Sequence, residues 1–124
     1  MLIRKFDDCE EIIANDETRL RELLNPAHEK SPLKMQYSIA HAIVEPGKAS
    51  IPHLIEGSSE VYFILHGRGL MHIEDETVLV YPGDTIYIPP GAVQYIENDG
   101  KTELAFLCLV SPPWTAERDK VAIP

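Results

Sequence analysis

Basic residues are scarce in this chain of 124 residues, and they are not grouped. There are 11 Lys and Arg residues against 20 Asp and Glu residues, which gives a formal net charge of −9 at pH 7. Recognition of nucleic acid or of an anionic membrane relies on clustered positive charge, which this sequence does not offer. We therefore expect neither a nucleic acid nor a membrane among its partners.

Long apolar runs and cysteines are also few. The longest apolar run, 104–110, is too short to cross a bilayer, and the acidic residues that follow Phe6 argue against a secretory signal. The only two cysteines are Cys9 and Cys108. We expect a cytoplasmic protein with two free thiols, of which Cys9 lies exposed in a polar stretch and Cys108 is buried among apolar neighbours.

Glycine and proline divide most of the chain into short segments with β-forming composition. Each segment ends at a turn signal, and the predicted strands are 35–45, 60–65, 69–73, 78–81, 85–88, 93–97 and 104–110. Asp99-Gly100 is a two-residue hairpin signal between the last two of them. Evenly spaced short strands with such turns are typical of an all-β barrel or jelly roll.

The N-terminal part shows a different pattern. A first strand is predicted at 2–6, followed by a short helix that begins with Asp16 as N-cap and ends before Pro26. Three leucines share one face of this helix at helical spacing: Leu20, Leu23 and Leu24. We thus expect three parts, which are a strand and helix packed on the barrel (1–34), the barrel itself (35–110) and a tail without regular structure (111–124), in which Trp114 packs on the barrel.

Two glycine-anchored segments stand out within the β region. The first begins at Gly47 and contains, in order, His53, Ile55, Glu60 and Gly67. The second begins at Gly83 and contains Pro89, Gly91, Gln94 and Asn98.

These segments resemble the two motifs of the cupin family, G-x5-H-x-H-x4-E-x6-G and G-x5-P-x-G-x2-H-x3-N, in order and in internal spacing. The resemblance implies a single-domain double-stranded β-helix, or jelly-roll barrel, that holds a metal ion or a small ligand inside. It also implies a homodimer. The chain departs from the motifs at two positions, because Ile55 and Gln94 stand where the family has histidines.

The alternation of side chains along strands indicates how the polar groups meet. His53 and Ile55 share a face, Glu60 and Tyr62 share a face of the next strand, and Gln94 enters from a later strand. We expect His53, Glu60 and Gln94 to converge inside the barrel. The resemblance implies that they hold a divalent transition metal (Mn, Fe, Ni or Zn), although one imidazole, one carboxylate and one amide oxygen form a weak donor set for such an ion.

Three interpretations of this site remain open. A metal ion is held by His53, Glu60 and Gln94; or the same groups bind a small polar ligand without a metal; or they only hydrogen-bond each other. With a metal, the resemblance implies an isomerase, epimerase or dioxygenase of a small metabolite, in which Glu60 or Tyr62 moves protons. The alternative is a non-catalytic module that binds a small, sugar-like molecule.

One further histidine depends on strand register. His41 lies in an apolar segment, where one register points it outward and the other makes it a second imidazole of the site. The sequence leaves this open, although we favour the outward register with Ala40, Ala42 and Val44 inside. His66 and His72 are expected to point away from the interior.

Overall fold

The computed structural model describes residues 1–122, and its architecture is almost entirely β. Eleven strands follow one another: β1 (Glu11–Ile13), β2 (Arg19–Leu24), β3 (Ser38–Val44), β4 (His53–Ile55), β5 (Ser59–His66), β6 (Gly69–Ile73), β7 (Glu76–Val80), β8 (Thr85–Ile88), β9 (Gln94–Glu97), β10 (Leu104–Ser111) and β11 (Asp119–Val121). The helical structure consists of two short 3-10 turns, Phe6–Asp8 and Ala116–Arg118. The seven strands predicted within 35–110 are confirmed, and β4 is added to them.

The strands form two antiparallel sheets that enclose one core. One sheet has the order β1-β2-β3-β10-β5-β8, and the other has the order β11-β4-β9-β6-β7. Side chains of both sheets meet in one buried cluster, where Ile64 and Phe106 of the first sheet join Met71 and Ile96 of the second. The predicted all-β jelly-roll barrel is therefore confirmed.

The register of β3 settles the position of His41. Ala42 and Val44 point inward and are almost fully buried, so His41 points outward. There it packs edge-on against Phe6, with a ring-centroid distance of 4.8 Å. Burial under this cover, aided by the nearby charge of Arg21, lowers the pKa of His41. His41 therefore belongs to the outer surface and adds no imidazole to the site.

The predicted helix after Asp16 is wrong, because this segment is strand β2. Glu17 adopts a left-handed backbone conformation, with φ of 71°, in the tight turn that joins β1 to β2. Asp16 acts within that turn, where its Oδ1 accepts hydrogen bonds from the backbone N–H and the hydroxyl of Thr18, at 3.1 and 2.8 Å. The same side-chain chemistry caps helices and closes turns, and a six-residue segment gains more from pairing with β3 than from one isolated helical turn.

The extreme N-terminus also differs from the prediction. No strand forms at 2–6 in the part of the chain that the structure describes, and a 3-10 turn begins at Phe6 instead. This turn folds back over Cys9, which is buried with 8 % exposure rather than exposed as predicted. The Cys9 thiol lies 3.4 Å from the carbonyl oxygen of Lys5 and donates to it. Cys108 is buried, as predicted.

The tail is more ordered than the sequence indicated. Strand β11 pairs with β4, placing Asp119 opposite Ile55, so the prediction of a tail without regular structure is wrong for 111–122, and the last two residues of the predicted tail lie outside the described residues. The reason is that β4 would otherwise be an edge of its sheet with unpaired backbone groups. The C-terminal segment thereby becomes part of the wall around the barrel interior.

The Asp99-Gly100 hairpin is also wrong. Strands β9 and β10, which flank it, belong to different sheets and are not paired. The turn connects the two sheets, and the buried Asn98 side chain holds it by donating to the carbonyl oxygens of Val44 and Thr102. A local turn signal does not distinguish a hairpin from a crossover, because both need the same backbone conformations.

Candidate ligand-binding site

Three predicted site residues come together where β4, β9 and β5 meet. His53 on β4 lies directly opposite Gln94 on β9, and Gln94 reaches across to Glu60 on β5 of the other sheet. The Gln94 side-chain Nε2 donates to Glu60 Oε1 at 2.7 Å. All three residues are at most 5 % exposed. Ile55 points inward beside His53, as the alternation predicted.

The His53 ring is oriented by the backbone. Its Nδ1 lies 3.1 Å from the carbonyl oxygen of Ile51, and because a carbonyl only accepts, Nδ1 carries the proton and donates it. Nε2 then faces Asp16, at 3.8 Å from Oδ2. In the neutral ring this Nε2 is a hydrogen-bond acceptor.

The Glu60 carboxyl group is electrostatically unusual. Its burial raises its pKa to about 7, and the nearby carboxylates of Asp16 and Asp119 act in the same direction. The Gln94 hydrogen bond and the charge of His53 oppose this increase without cancelling it. Glu60 can therefore gain or lose a proton near neutral pH.

Two buried oxygens near this pair have no hydrogen-bond partner among the described residues. They are Gln94 Oε1 and Asp119 Oδ1. The other Asp119 oxygen accepts a hydrogen bond from the Trp114 indole N–H at 3.0 Å. An unsatisfied buried acceptor costs about 1–3 kcal/mol, so each of these oxygens favours a hydrogen-bond donor beside it.

A cavity of about 260 Å³ opens beside these groups. Its walls are mainly aliphatic, and its polar lining comes from Asn15, Glu22, His28, Ser38, His53, Glu60 and Asp119. Trp114 and Asp119, both from the tail, form one side of it. Gln94 does not line the cavity and acts on it through Glu60.

Tyr62, which shares the inward face of β5 with Glu60, is placed elsewhere. It is 2 % exposed within the apolar core, with its ring centroid 4.5 Å from that of Phe106, and it is absent from the cavity wall. Burial raises its pKa well above the usual value. The structure therefore does not bring Tyr62 to the site, in contrast to Glu60.

His66 and His72 lie away from the barrel interior. His66 is exposed, and its Nδ1 lies 3.0 Å from the carbonyl oxygen of Glu103. His72 stacks on Tyr95 with a centroid distance of 4.0 Å, and its Nε2 pairs with Glu97. Of the histidines, His53 is the one that lies opposite Gln94, and His28 is the other that lines the cavity.

The donor set does not fit a divalent transition metal. Within residues 1–122, no three His, Cys, Asp or Glu side chains are arranged as metal ligands. Gln94 turns its NH2 group toward Glu60, and an amide NH2 cannot coordinate a cation. One imidazole and one hydrogen-bonded carboxyl remain, which is fewer than these ions require.

Two carboxylates of this site were not predicted from the sequence. Asp16 was interpreted as a helix cap, and Asp119 was assigned to a structureless tail. The short β-forming segment that follows Asp119 is too weak a signal to predict its pairing with β4. Trp114 was expected to pack on the barrel, and it does so while donating to Asp119.

No helix among the described residues has the length and apolar character needed to span a membrane.

Comparison with known proteins agrees with this architecture. The family described as Cupin domain matches residues 40–110. An uncharacterized protein of Methanocaldococcus jannaschii is 39% identical over 117 residues, covering 94% of this chain and 91% of that protein. An oxalate-binding protein of Thermotoga maritima is 31% identical over 117 residues, covering 89% of this chain and 93% of that protein. The crystal structure of a predicted oxalate decarboxylase from Thermotoga maritima superposes with a TM-score of 0.74 at 26% identity, covering 90% of this chain and 99% of that one.

Proposed function

This chain belongs to the cupin family, and we propose that it binds a small organic molecule inside its barrel through Glu60 and His53 without a metal ion. The observation that carries the proposal is the cavity whose polar wall combines the buried Glu60–Gln94 pair with an oriented imidazole. These groups are preorganised for hydrogen bonding, and the donor set falls short of a metal site.

The shape of the cavity supports a small ligand with an apolar part. Its volume of about 260 Å³ is slightly below the roughly 300–1,000 Å³ that is usual for ligand pockets. Aliphatic side chains such as Ile39, Ile55 and Val110 make up most of the wall. A polar head group at Glu60 and an apolar body along this wall would use both features.

A binding role fits these observations better than catalysis. The isomerase, epimerase or dioxygenase chemistry that the family resemblance implied would require a metal at His53, Glu60 and Gln94, and that metal site stays a prediction. The name of the Thermotoga maritima relative, oxalate-binding protein, also describes binding. Without a metal, the group able to move a proton in the cavity is Glu60, with its pKa near 7.

Elemental analysis and thermal stability test the proposal together. The protein is purified without chelator, as wild type and as the variants His53→Ala and His66→Ala, the second being a matched loss of an exposed imidazole. We expect no stoichiometric transition metal in any of them, and no change in melting temperature with EDTA. A library of small molecules is then expected to contain ligands that stabilise wild type and His66→Ala but not His53→Ala.

The opposite result is equally clear. Near-stoichiometric Mn, Fe, Ni or Zn in wild type and His66→Ala, absent from His53→Ala, would replace this proposal with a metal centre. Metal-assisted chemistry on small oxygenated substrates would then be assayed.

The homodimer and the cytoplasmic location stay predictions. Exposed apolar side chains support the dimer, among them Ile12 and Ile13 on β1, the edge strand of the larger sheet. Sedimentation velocity across a concentration series tests it, and a monomer at all concentrations would contradict it.

A further inference from the structure

We infer that the ligand of this cavity is a small organic cation, such as a primary amine carried by a compact apolar body. The inference rests on the proposed function and names the chemical class of the ligand. It starts from the charges of the cavity wall and from the hydrogen-bond roles that remain unfilled there.

The charge of the cavity is negative. Its wall includes the carboxyl groups of Glu60, Asp119 and Glu22. A fourth carboxyl group lies close to the wall, because Asp16 Oδ2 is 3.8 Å from His53 Nε2. No Lys or Arg contributes to the wall within the described part of the chain. Charges inside a protein are screened less than charges at its surface, so an enclosed site of one sign attracts the opposite charge strongly.

These carboxyl groups differ in how far they are already neutralised. Glu22 is engaged by the His28 ring at 2.9 Å and by the Asn25 amide at 3.0 Å. Asp119 receives one hydrogen bond, from Trp114, and Glu60 receives one, from Gln94. The uncompensated negative charge therefore lies at the inner part of the wall, around Glu60 and Asp119.

The unfilled hydrogen-bond roles at this place are acceptors. Asp119 Oδ1 is buried without a partner among the described residues, the Glu60 carboxyl accepts a single hydrogen bond, from Gln94, and His53 Nε2 accepts when the ring is neutral. An ammonium group offers three donors and no acceptor, so it complements such a wall in both charge and hydrogen bonding. A neutral hydroxyl offers one donor, and a carboxylate offers none.

A preference for a cationic ligand would distinguish this chain from the relative named as an oxalate-binding protein. Oxalate would bring two negative charges and only acceptor atoms to a wall that already has an excess of both. A carboxylate ligand is held best by a cation on the protein side, and the described wall contains no Lys or Arg and no cluster of metal ligands. The apolar residues around the acidic end then favour an amine with an aliphatic or aromatic body over a polyol.

The test compares head groups on the same carbon skeleton. Benzylamine, benzyl alcohol and benzoate form one series, and the 3-methylbutyl and cyclohexylmethyl series repeat it with other shapes. Isothermal titration calorimetry at pH 7.5 and fixed ionic strength measures each Kd. We expect the amine of at least one series to bind about tenfold or more tightly than its alcohol, with the carboxylate too weak to detect.

Two variants locate the effect. Asp119→Asn removes an inner charge with little change in shape, and Asp75→Asn removes a charge of the same type from the exposed β6–β7 turn. Asp119→Asn is expected to reduce the preference for amine over alcohol about tenfold, whereas Asp75→Asn leaves it within about twofold, as screened surface charge requires. Circular dichroism spectra and melting temperatures establish that both variants are folded.

Each outcome decides between the proposals. Equal or tighter binding of the alcohols or carboxylates in this cavity would overturn the cation inference while the proposed binding function stands. An amine preference that survives Asp119→Asn, or that Asp75→Asn lowers equally, would assign the effect to the net charge of the protein and also overturn it. Absence of binding by every probe would refute the ligand site and the inference together.

Discussion

Gln94 donates its side-chain amide to Glu60 across the two sheets, at 2.7 Å, and both residues are buried. This hydrogen bond orients the amide, so that its NH2 group faces the carboxyl and its oxygen is left without a partner. It also uses one oxygen of the acid that a metal would need. This pair thus contributes to the weak donor set for a metal.

Restoring the family's histidines should restore a metal site. The double variant Ile55→His/Gln94→His would place three imidazoles and Glu60 around one point, because residues 53 and 55 share the inward face of β4. Such a set suits a divalent transition metal. We expect elemental analysis after incubation with Mn, Fe, Ni or Zn to find about one ion per chain in the double variant and far less in wild type.

The control for this experiment is Ile55→His/Gln94→His/His53→Ala, which removes one of the three imidazoles. We expect it to lose most of the bound metal. Equal metal content in wild type and in the double variant would contradict the argument from the Glu60–Gln94 pair.

The buried acid makes stability depend on pH. Because the pKa of Glu60 is about 7 in the folded protein, above the value of 4.5 for a free side chain, the folded state holds a proton that the unfolded state has released. The free energy of unfolding therefore falls as pH rises from about 4.5 to about 7. This contribution is on the order of 3 kcal/mol for a fully buried group.

The variant Glu60→Gln tests this by removing the titrating proton. Urea unfolding at pH 5 and pH 8 is measured for both proteins. The loss of stability between the two pH values should be smaller in the variant, and at pH 8 the variant should be the more stable protein. The same loss in both proteins would rule out Glu60 as the source.

Tyr62 is expected to matter for the core and not for binding. Its ring packs against Phe106 and lies outside the cavity wall. Tyr62→Phe should leave ligand affinity unchanged and alter stability by less than about 1.5 kcal/mol, while Tyr62→Ala should cost about 3–5 kcal/mol through the cavity it creates. A tenfold or greater loss of ligand affinity in Tyr62→Phe would restore the functional role that the sequence suggested.

The contact between Trp114 and Asp119 should hold the tail on the barrel. The indole N–H donates to Asp119 Oδ2, while Asp119 Oδ1 is buried without a partner among the described residues. Trp114→Phe would leave that charge without a donor and cost about 1.5–3 kcal/mol in chemical denaturation. Asp119→Asn keeps an oxygen that can accept from the indole, so it should cost less, and a larger cost for Asp119→Asn would contradict this account.

The sequence predicted the barrel because its signals are local and repeated. Gly and Pro at each turn fix where the strands of 35–110 end, and alternation fixes which side chains point inward, as at His53 and Ile55. Both features depend on backbone geometry that each short segment largely determines by itself. The convergence of His53, Glu60 and Gln94 was implied by the cupin resemblance, which indicated which strands meet.

Other features depended on partners distant in sequence. The leucines of β2 fit a helix equally well. The segment forms a strand because its backbone groups pair with those of β3. Asp119 lies 59 positions after Glu60, and only the pairing of β11 with β4 brings it to the cavity. The sequence by itself determined the strands and their inward faces. Tertiary structure decided the charge of the cavity and the direction of the Gln94 amide, because both arise from groups that meet only when the two sheets and the tail close.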